Sequence, residues 1–196
     1  MMGRRGGYPG YQSPEGFWGA LRGVWFGPRR FFGRLDLEGG FIRPVLFASV
    51  VLYLNLILDS VLQAAWLQEF NYALLYTVFL GLPVALVLAP LLVAGLAALV
   101  LVVLDGASSR ARFGPVFRNL CYASGACIVL WVPFGPLLAI AYGGYAATIA
   151  VKESLNENWN RAIAGALIPL GAIVVILLLL TGLDEAASFF TNPPDR

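Results

Sequence analysis

Long uncharged runs dominate the chain and are separated by short clusters of charged residues. The clearest run is 119–151, thirty-three residues without one charge. As a single helix it would be roughly 50 Å long at about 1.5 Å per residue, well beyond a bilayer core of roughly 30 Å. The Pro133-Phe134-Gly135-Pro136 segment in its middle favours a turn, because proline lacks an amide donor and glycine tolerates turn geometry. The pattern therefore predicts two short spans, at 116–132 and 136–151.

Three further spans are predicted from the remaining apolar runs. The first covers 44–66 and the last covers 161–181, followed by a short tail at 183–196. Between them, 70–104 contains thirty-five uncharged residues, enough for one span or for a hairpin broken by its prolines. We predict one span with its core at 84–104, in which the preceding residues form an outer interfacial lead-in or a kinked extension.

The distribution of basic residues favours one span over a hairpin in that run. With one span, twelve of the thirteen basic residues lie on the side of the N-terminus and only Arg196 lies opposite, as the positive-inside rule requires. With two spans, Arg110, Arg112 and Arg118 would move outside. The prediction is an all-α polytopic membrane protein with five transmembrane helices, a cytoplasmic N-terminus and the C-terminus on the opposite side.

Composition supports this class, since 59% of the 196 residues are apolar and 12% are charged. A net charge of +2 is too small to indicate a nucleic-acid partner. No histidine is present, which excludes Ser-His proteolysis, His-Glu-x-x-His zinc sites and His-ligated haem. Cys121 and Cys127 lie on different faces of one predicted helix, so they share neither a metal nor a disulfide. We predict no catalytic residue, metal or cofactor, and a protein that is not an enzyme.

The N-terminal region divides into two parts. Residues 1–16 are rich in glycine, proline and tyrosine and are predicted to be a disordered polar arm. Residues 17–43 are predicted to be a cytoplasmic interfacial amphipathic segment, in which aromatic residues alternate with arginines. Such a segment can lie in the head-group layer with its rings inward. Its candidate contacts to lipid or to a partner are Arg22, Arg29, Arg30 and Arg34.

Two patterns within the spans bear on function. Asn55, Asp59 and Gln63 are four residues apart and form one polar stripe, which is either satisfied locally or part of an ion or proton pathway. Asp59 lies nearer the outer interface than the midplane. Ala139, Gly143 and Ala147 are also four apart and predict a helix-packing seam, either within one chain or between two copies.

With five spans placed, the chain resembles the Yip family of Ypt/Rab-interacting membrane proteins, and its prokaryotic relatives most of all. The resemblance covers about residues 17–185 and rests on four short segments in order. They are Pro28-Arg29-Arg30-Phe31-Phe32, Tyr122-Ala123-Ser124, Pro133-Phe134-Gly135 and Asn160-Arg161-Ala162.

The resemblance implies a five-span helical fold with a cytoplasmic N-terminus and, for eukaryotic relatives, a role in vesicle traffic through small GTPases. The acidic Asp-Leu-Tyr-Gly-Pro segment of the eukaryotic cytosolic arm is not found in this sequence. Its absence puts a GTPase partner in doubt. The expected location is the cell membrane of a prokaryote.

Two functions follow from these patterns. The first is a non-enzymatic membrane scaffold or adaptor whose basic cytoplasmic face engages lipid head groups or a protein partner, with another membrane protein or a second copy as candidates. The alternative is a small transporter or channel component that uses the polar stripe of Asn55, Asp59 and Gln63. The scaffold depends on its cytoplasmic arginines, whereas the transporter depends on an intramembrane acid.

Overall fold

The computed structural model describes residues 16–35, 40–67, 72–105 and 110–191, and every secondary-structure element within these ranges is a helix. The predicted disordered arm at 1–16 lies outside the described residues except for Gly16. In chain order the α-helices are α1 (Gly16–Phe26), α2 (Pro28–Phe32), α3 (Ile42–Leu67), α4 (Tyr72–Asp105), α5 (Arg110–Ala123), α6 (Gly135–Leu155) and α7 (Trp159–Thr191). A 3₁₀ helix (Ser124–Val129) follows α5.

Three helical segments in the described part of the chain are long and apolar enough to cross a membrane. They are Ile42–Trp66, Leu74–Leu104 and Trp159–Ile176. The first two pack extensively against each other along a shared interface. There the Tyr53 hydroxyl donates to the carbonyl of Val78 at 2.8 Å, and the Ser60 and Thr77 hydroxyls are 3.0 Å apart. The chain is therefore a helical protein with at least three membrane-capable helices.

Two of these helices differ in length from the predicted spans. α4 is continuous from Tyr72, twelve residues before the predicted core at 84–104, with Pro83 and Pro90 inside it. In the described residues, therefore, one helix includes both the residues before 84 and the predicted core. Proline is tolerated here because membrane helices re-satisfy the freed carbonyls locally. α7 continues to Thr191, beyond the predicted end of the last span at 181.

The residues predicted as spans three and four form a hairpin of unequal arms. α5 ends at Ala123 and the 3₁₀ helix continues the first arm, whereas α6 is regular for twenty-one residues. A 3₁₀ helix rises about 2.0 Å per residue against about 1.5 Å in an α-helix, so it lengthens the shorter arm. Phe134 makes the turn in the left-handed region at φ 65°. Neither arm is among the three membrane-capable helices, so length and composition do not establish five spans.

One end of the bundle, which we call the basic end, is where five helix ends meet. They are the start of α3, the end of α4, the start of α5, the end of α6 and the start of α7. Cross-chain contacts define this end. Arg161 Nη2 donates to the Leu104 carbonyl at 2.9 Å, Asn119 Nδ2 donates to Ser154 Oγ at 2.8 Å, and the Arg118 guanidinium lies 5.1 Å from the Phe41 ring centroid. The buried core is also concentrated here, with Val100, Val116 and Val151 fully buried.

Among the glycines in the described residues, the one closest to other backbone lies at the opposite end, where the hairpin turns. A β-carbon at Gly135 would collide with the backbone carbonyl of Val129. We expect Gly135→Ala to destabilise the hairpin by about 1–3 kcal/mol, because backbone cannot move aside as a flexible side chain can. Gly171→Ala in α7 is the matched control, since a β-carbon there meets nothing within 4 Å. Thermal denaturation in detergent should show a lower melting temperature for the first variant alone; equal melting temperatures would contradict the turn geometry.

Candidate functional site

The arm formed by α1 and α2 packs onto the hairpin. Ala20 and Val24 of α1 and Phe32 of α2 are fully buried. The Trp25 ring stacks on the Tyr142 ring of α6, with centroids 4.7 Å apart and planes 16° apart. A sequence predicted to lie on a membrane surface therefore has a protein surface as its immediate neighbour.

Hydrogen bonds fix the end of α1 against the hairpin. The Tyr142 hydroxyl lies 2.7 Å from the carbonyl oxygens of both Val24 and Trp25, to which it donates. Trp25 Nε1 in turn donates to the Gly125 carbonyl of the 3₁₀ helix at 3.0 Å. The last carbonyls of a helix have no partner within it, and in a membrane such groups are costly when unpaired. Tyr142 therefore satisfies two of the C-terminal carbonyls of α1.

The aromatic residues of the arm divide into two sets. Phe31 makes an edge contact with Tyr122 at 5.6 Å, and Phe17 packs 5.2 Å from Phe47, which itself lies 5.3 Å from Tyr122. Trp18 and Phe26, in contrast, are 72% and 88% exposed. Only Trp18 and Phe26 are therefore free to face lipid. The prediction that the rings of this segment point into the head-group layer can apply to these two rings and not to the packed ones.

The four candidate arginines, Arg22, Arg29, Arg30 and Arg34, all lie exposed on the docked arm. Arg29 alone has a described partner from another helix. Its guanidinium lies 5.3 Å from the centroid of the Trp159 ring, at the start of α7. The ammonium of Lys152 lies 5.9 Å from the same centroid. The structure thus gives Arg29 two neighbours that the sequence did not indicate, Lys152 and Trp159. The other three arginines lie on open surface.

A buried polar cluster that the sequence did not indicate holds the two arms of the hairpin together. Asn119 is 1% exposed, and its amide donates to Ser154 Oγ and, at 3.4 Å, to the Ala150 carbonyl. Ser154 donates to the carbonyls of Ala150 and Pro115. A hydrogen bond between Asn119 and a serine thirty-five residues later produces no pattern in the neighbouring sequence. The sequence shows only that a polar residue stands at the start of the uncharged run.

Acidic Glu157 organises the loop between α6 and α7. Its carboxylate lies 3.0 Å from Arg161 and 3.6 Å from Arg112. The first pair is a helical i, i+4 pair, and both arginines are about half exposed, so each pair contributes little stability by itself. Together they connect the start of α5 to the start of α7 through the α6–α7 loop and keep basic groups at the basic end.

The structure separates the polar stripe of α3 into two parts. Asn55 is buried and its amide donates to the Val51 carbonyl at 2.8 Å, while its Oδ1 has no hydrogen-bond partner in the described part of the chain. Asp59 and Gln63 are exposed, and Gln63 Nε2 donates to Asp59 Oδ2 at 2.8 Å. The acid therefore has its own local donor, one turn away on the same helix.

Ala139, Gly143 and Ala147 line an apolar groove of about 560 Å³ between α6, α7, α4 and the first arm of the hairpin. A β-carbon at Gly143 would have Ala126 and Cys127 as its nearest neighbours, at 3.9 and 4.0 Å. The series thus faces the first arm of its own hairpin. Cys121 and Cys127 are both free thiols.

Comparison with known proteins gives one result. No curated protein and no solved structure matches the chain. The family model of the Yip1 domain matches residues 22–180, a range that extends from within α1 through most of α7 and includes α2 and the hairpin. The match confirms the resemblance drawn from the sequence, and the chain belongs to the Yip1 domain family.

Proposed function

We propose that this chain is a non-enzymatic membrane scaffold or adaptor of the Yip type, with five spans, a cytoplasmic N-terminus and a basic cytoplasmic face. The observation that carries the proposal is the docked arm. It holds Arg22, Arg29, Arg30 and Arg34 on a folded surface, and it places Arg29 next to α6 and α7 at the basic end. Anionic head groups of lipids, or an acidic surface of a membrane protein or a second copy, fit such a face.

The hairpin supports five spans by its dimensions. From Arg118 to the turn, the first arm has about six α-helical residues and a six-residue 3₁₀ helix, roughly 21 Å in length. From Gly135 to Lys152, α6 rises roughly 26 Å. Both values approach the roughly 30 Å core, and the bilayer can thin to meet a short span. Five spans also keep twelve basic residues on one side.

Electrostatic attraction is the interaction that the scaffold needs. Each basic residue near an anionic surface contributes about 1 kcal/mol, and the attraction decays within roughly one Debye length. The membrane helices already anchor the chain, so the attraction is available to position the face against lipid or a partner. Because α1 and α2 are docked, the arginines are presented without the entropy cost of ordering a free segment.

The test is the full-length variant with Arg22, Arg29, Arg30 and Arg34 changed together to Gln. We expect it to insert and fold normally, because eight other basic residues remain on the same side, and to lose most of its preference for anionic over neutral lipid. Retention of phosphatidylglycerol over phosphatidylcholine by the purified protein measures the preference. Asp59→Asn in parallel controls for loss of a charge outside the face. An unchanged preference in the quadruple variant would contradict the proposal.

The transporter alternative requires the carboxylate of Asp59, whereas the scaffold does not. We expect Asp59→Asn to leave abundance and insertion nearly unchanged, since the amide oxygen can still accept the hydrogen bond from Gln63 and a costly charge is removed. Asn55→Asp should lower abundance, because it puts a carboxylate at a buried position whose oxygen already lacks a described donor.

Membrane yield and melting temperature measure both effects, and ion flux in liposomes completes the comparison. If the scaffold proposal is right, the Asp59→Asn protein also keeps its preference for anionic over neutral lipid. A proton- or cation-dependent flux that disappears in a normally folded Asp59→Asn protein would favour the transporter.

A further inference from the structure

A small pocket at the basic end has the features of an anion site. Arg29 of α2, Ile149, Lys152 and Glu153 of α6, and Trp159 of α7 enclose about 90 Å³. That volume exceeds the 10–15 Å³ or so that one water needs, so it has room for a small polar group. Three helices contribute to it, and its shape therefore depends on the docking of the arm.

The charges in the pocket are unbalanced toward positive. The guanidinium of Arg29 and the ammonium of Lys152 both lie within 6 Å of the centroid of the Trp159 ring. Glu153 is the acid of the pocket, and its carboxylate is 3.2 Å from Lys152. In the described part of the chain no carboxylate lies within ion-pair distance of Arg29. The pocket thus has two cations and one carboxylate, which is paired with Lys152, and both cations lie against the same indole ring.

The start of α7 adds a second feature that attracts an anion. Trp159 is the first residue of a helix that extends to Thr191. The first amide groups of a helix have no partner within it, and the helix dipole makes this end positive. An anion between Arg29 and Lys152 would lie beside this end. The dipole and the side-chain cations therefore act in the same direction.

Apolar surface adjoins the pocket on the side of the bilayer. Tyr145 lies one helical turn before Ile149 on α6, and Ile163 lies one turn after Trp159 on α7. Both are more than two-fifths exposed. A soluble ion would make no use of this surface, whereas the acyl chains of a lipid would cover it. Trp159 itself is a residue type favoured at the membrane interface.

We propose that this pocket binds the phosphate group of an anionic phospholipid, with Arg29 and Lys152 as its two cationic contacts and Tyr145 and Ile163 against the acyl chains. The inference rests on the proposed function and assigns one specific site within the basic face. When the phosphate is bound, it takes Lys152 as a partner, and Glu153 is left at the rim. The bound lipid would bridge α2, α6 and α7 and so hold the docked arm.

The test compares two pairs of substitutions in the full-length protein. Arg29→Gln with Lys152→Gln removes two charges from the pocket; Arg30→Gln with Arg34→Gln removes two from exposed positions of the same arm. Binding of phosphatidylglycerol to the detergent-solubilised protein is measured by native mass spectrometry. We expect about a tenfold weaker affinity for the pocket pair, the effect of a lost charge-assisted hydrogen bond, and a smaller loss for the surface pair, whose arginines attract the lipid only through the general charge of the basic face. Lys152→Arg should retain binding, which shows that a folded pocket with the same charge is sufficient.

Competing ligands separate a lipid from a soluble anion. Inorganic phosphate and glycerol phosphate at millimolar concentration should not displace phosphatidylglycerol; efficient displacement would show that the pocket takes a free anion and would overturn the lipid assignment. Equal losses in the two pairs would overturn the pocket and leave the basic face standing. No loss in either pair, together with an unchanged lipid preference in the quadruple arginine variant, would overturn both.

Discussion

The hairpin of α5, the 3₁₀ helix and α6 sets the conditions for the rest of the structure. Its uncharged stretch would make a helix of roughly 50 Å, longer than a bilayer core of roughly 30 Å, and the chain turns within a few residues at Phe134 and Gly135. Conversion of six residues to a 3₁₀ helix lengthens the first arm but gives it poorer hydrogen-bond geometry. The Gly125 carbonyl in this helix accepts a bond from Trp25, so the arm helps to satisfy the irregular part of the hairpin.

This dependence connects the hairpin to the proposed role. Tyr142 receives the end of α1, and α2 then brings Arg29 over Trp159. An arm held in this way presents its arginines in a defined arrangement, whereas a free amphipathic segment would present them in many. The polar cluster of Asn119 and Ser154 keeps the two arms of the hairpin in register beneath it. Substitutions in the hairpin should therefore alter the arrangement of the arginines at the basic end.

Much of this fold could be predicted from the sequence. Apolar runs and the placement of basic residues indicated a helical membrane protein, and the Pro-Phe-Gly-Pro segment indicated the turn, because these features depend on local composition and the bilayer alone. The continuation of α4 back to Tyr72 was one of two alternatives left open, because prolines in a membrane helix do not have to end it. The last helix continues to Thr191, past the acidic residues near 184 that indicated a tail.

The candidate site was harder to predict because it depends on contacts between distant parts of the chain. The arginines of the arm were visible as a pattern, yet their neighbours were not. Tyr142 meets Trp25 across more than one hundred residues, and Trp159 meets Arg29 across a similar separation. The same amphipathic sequence pattern can bury its apolar face against lipid or against protein. Only the tertiary arrangement distinguishes the two.

The central claim is that the hairpin crosses the bilayer, with its turn outside and the basic end inside. The direct test is a single cysteine at Phe134, which is 79% exposed, in a chain whose Cys121 and Cys127 are replaced by Ala. A membrane-impermeant maleimide added to intact cells should label Phe134→Cys, and should label Asn158→Cys at the basic end only after permeabilisation. If Phe134→Cys is also protected until the membrane is opened, the hairpin enters the membrane and returns, and the five-span account is contradicted.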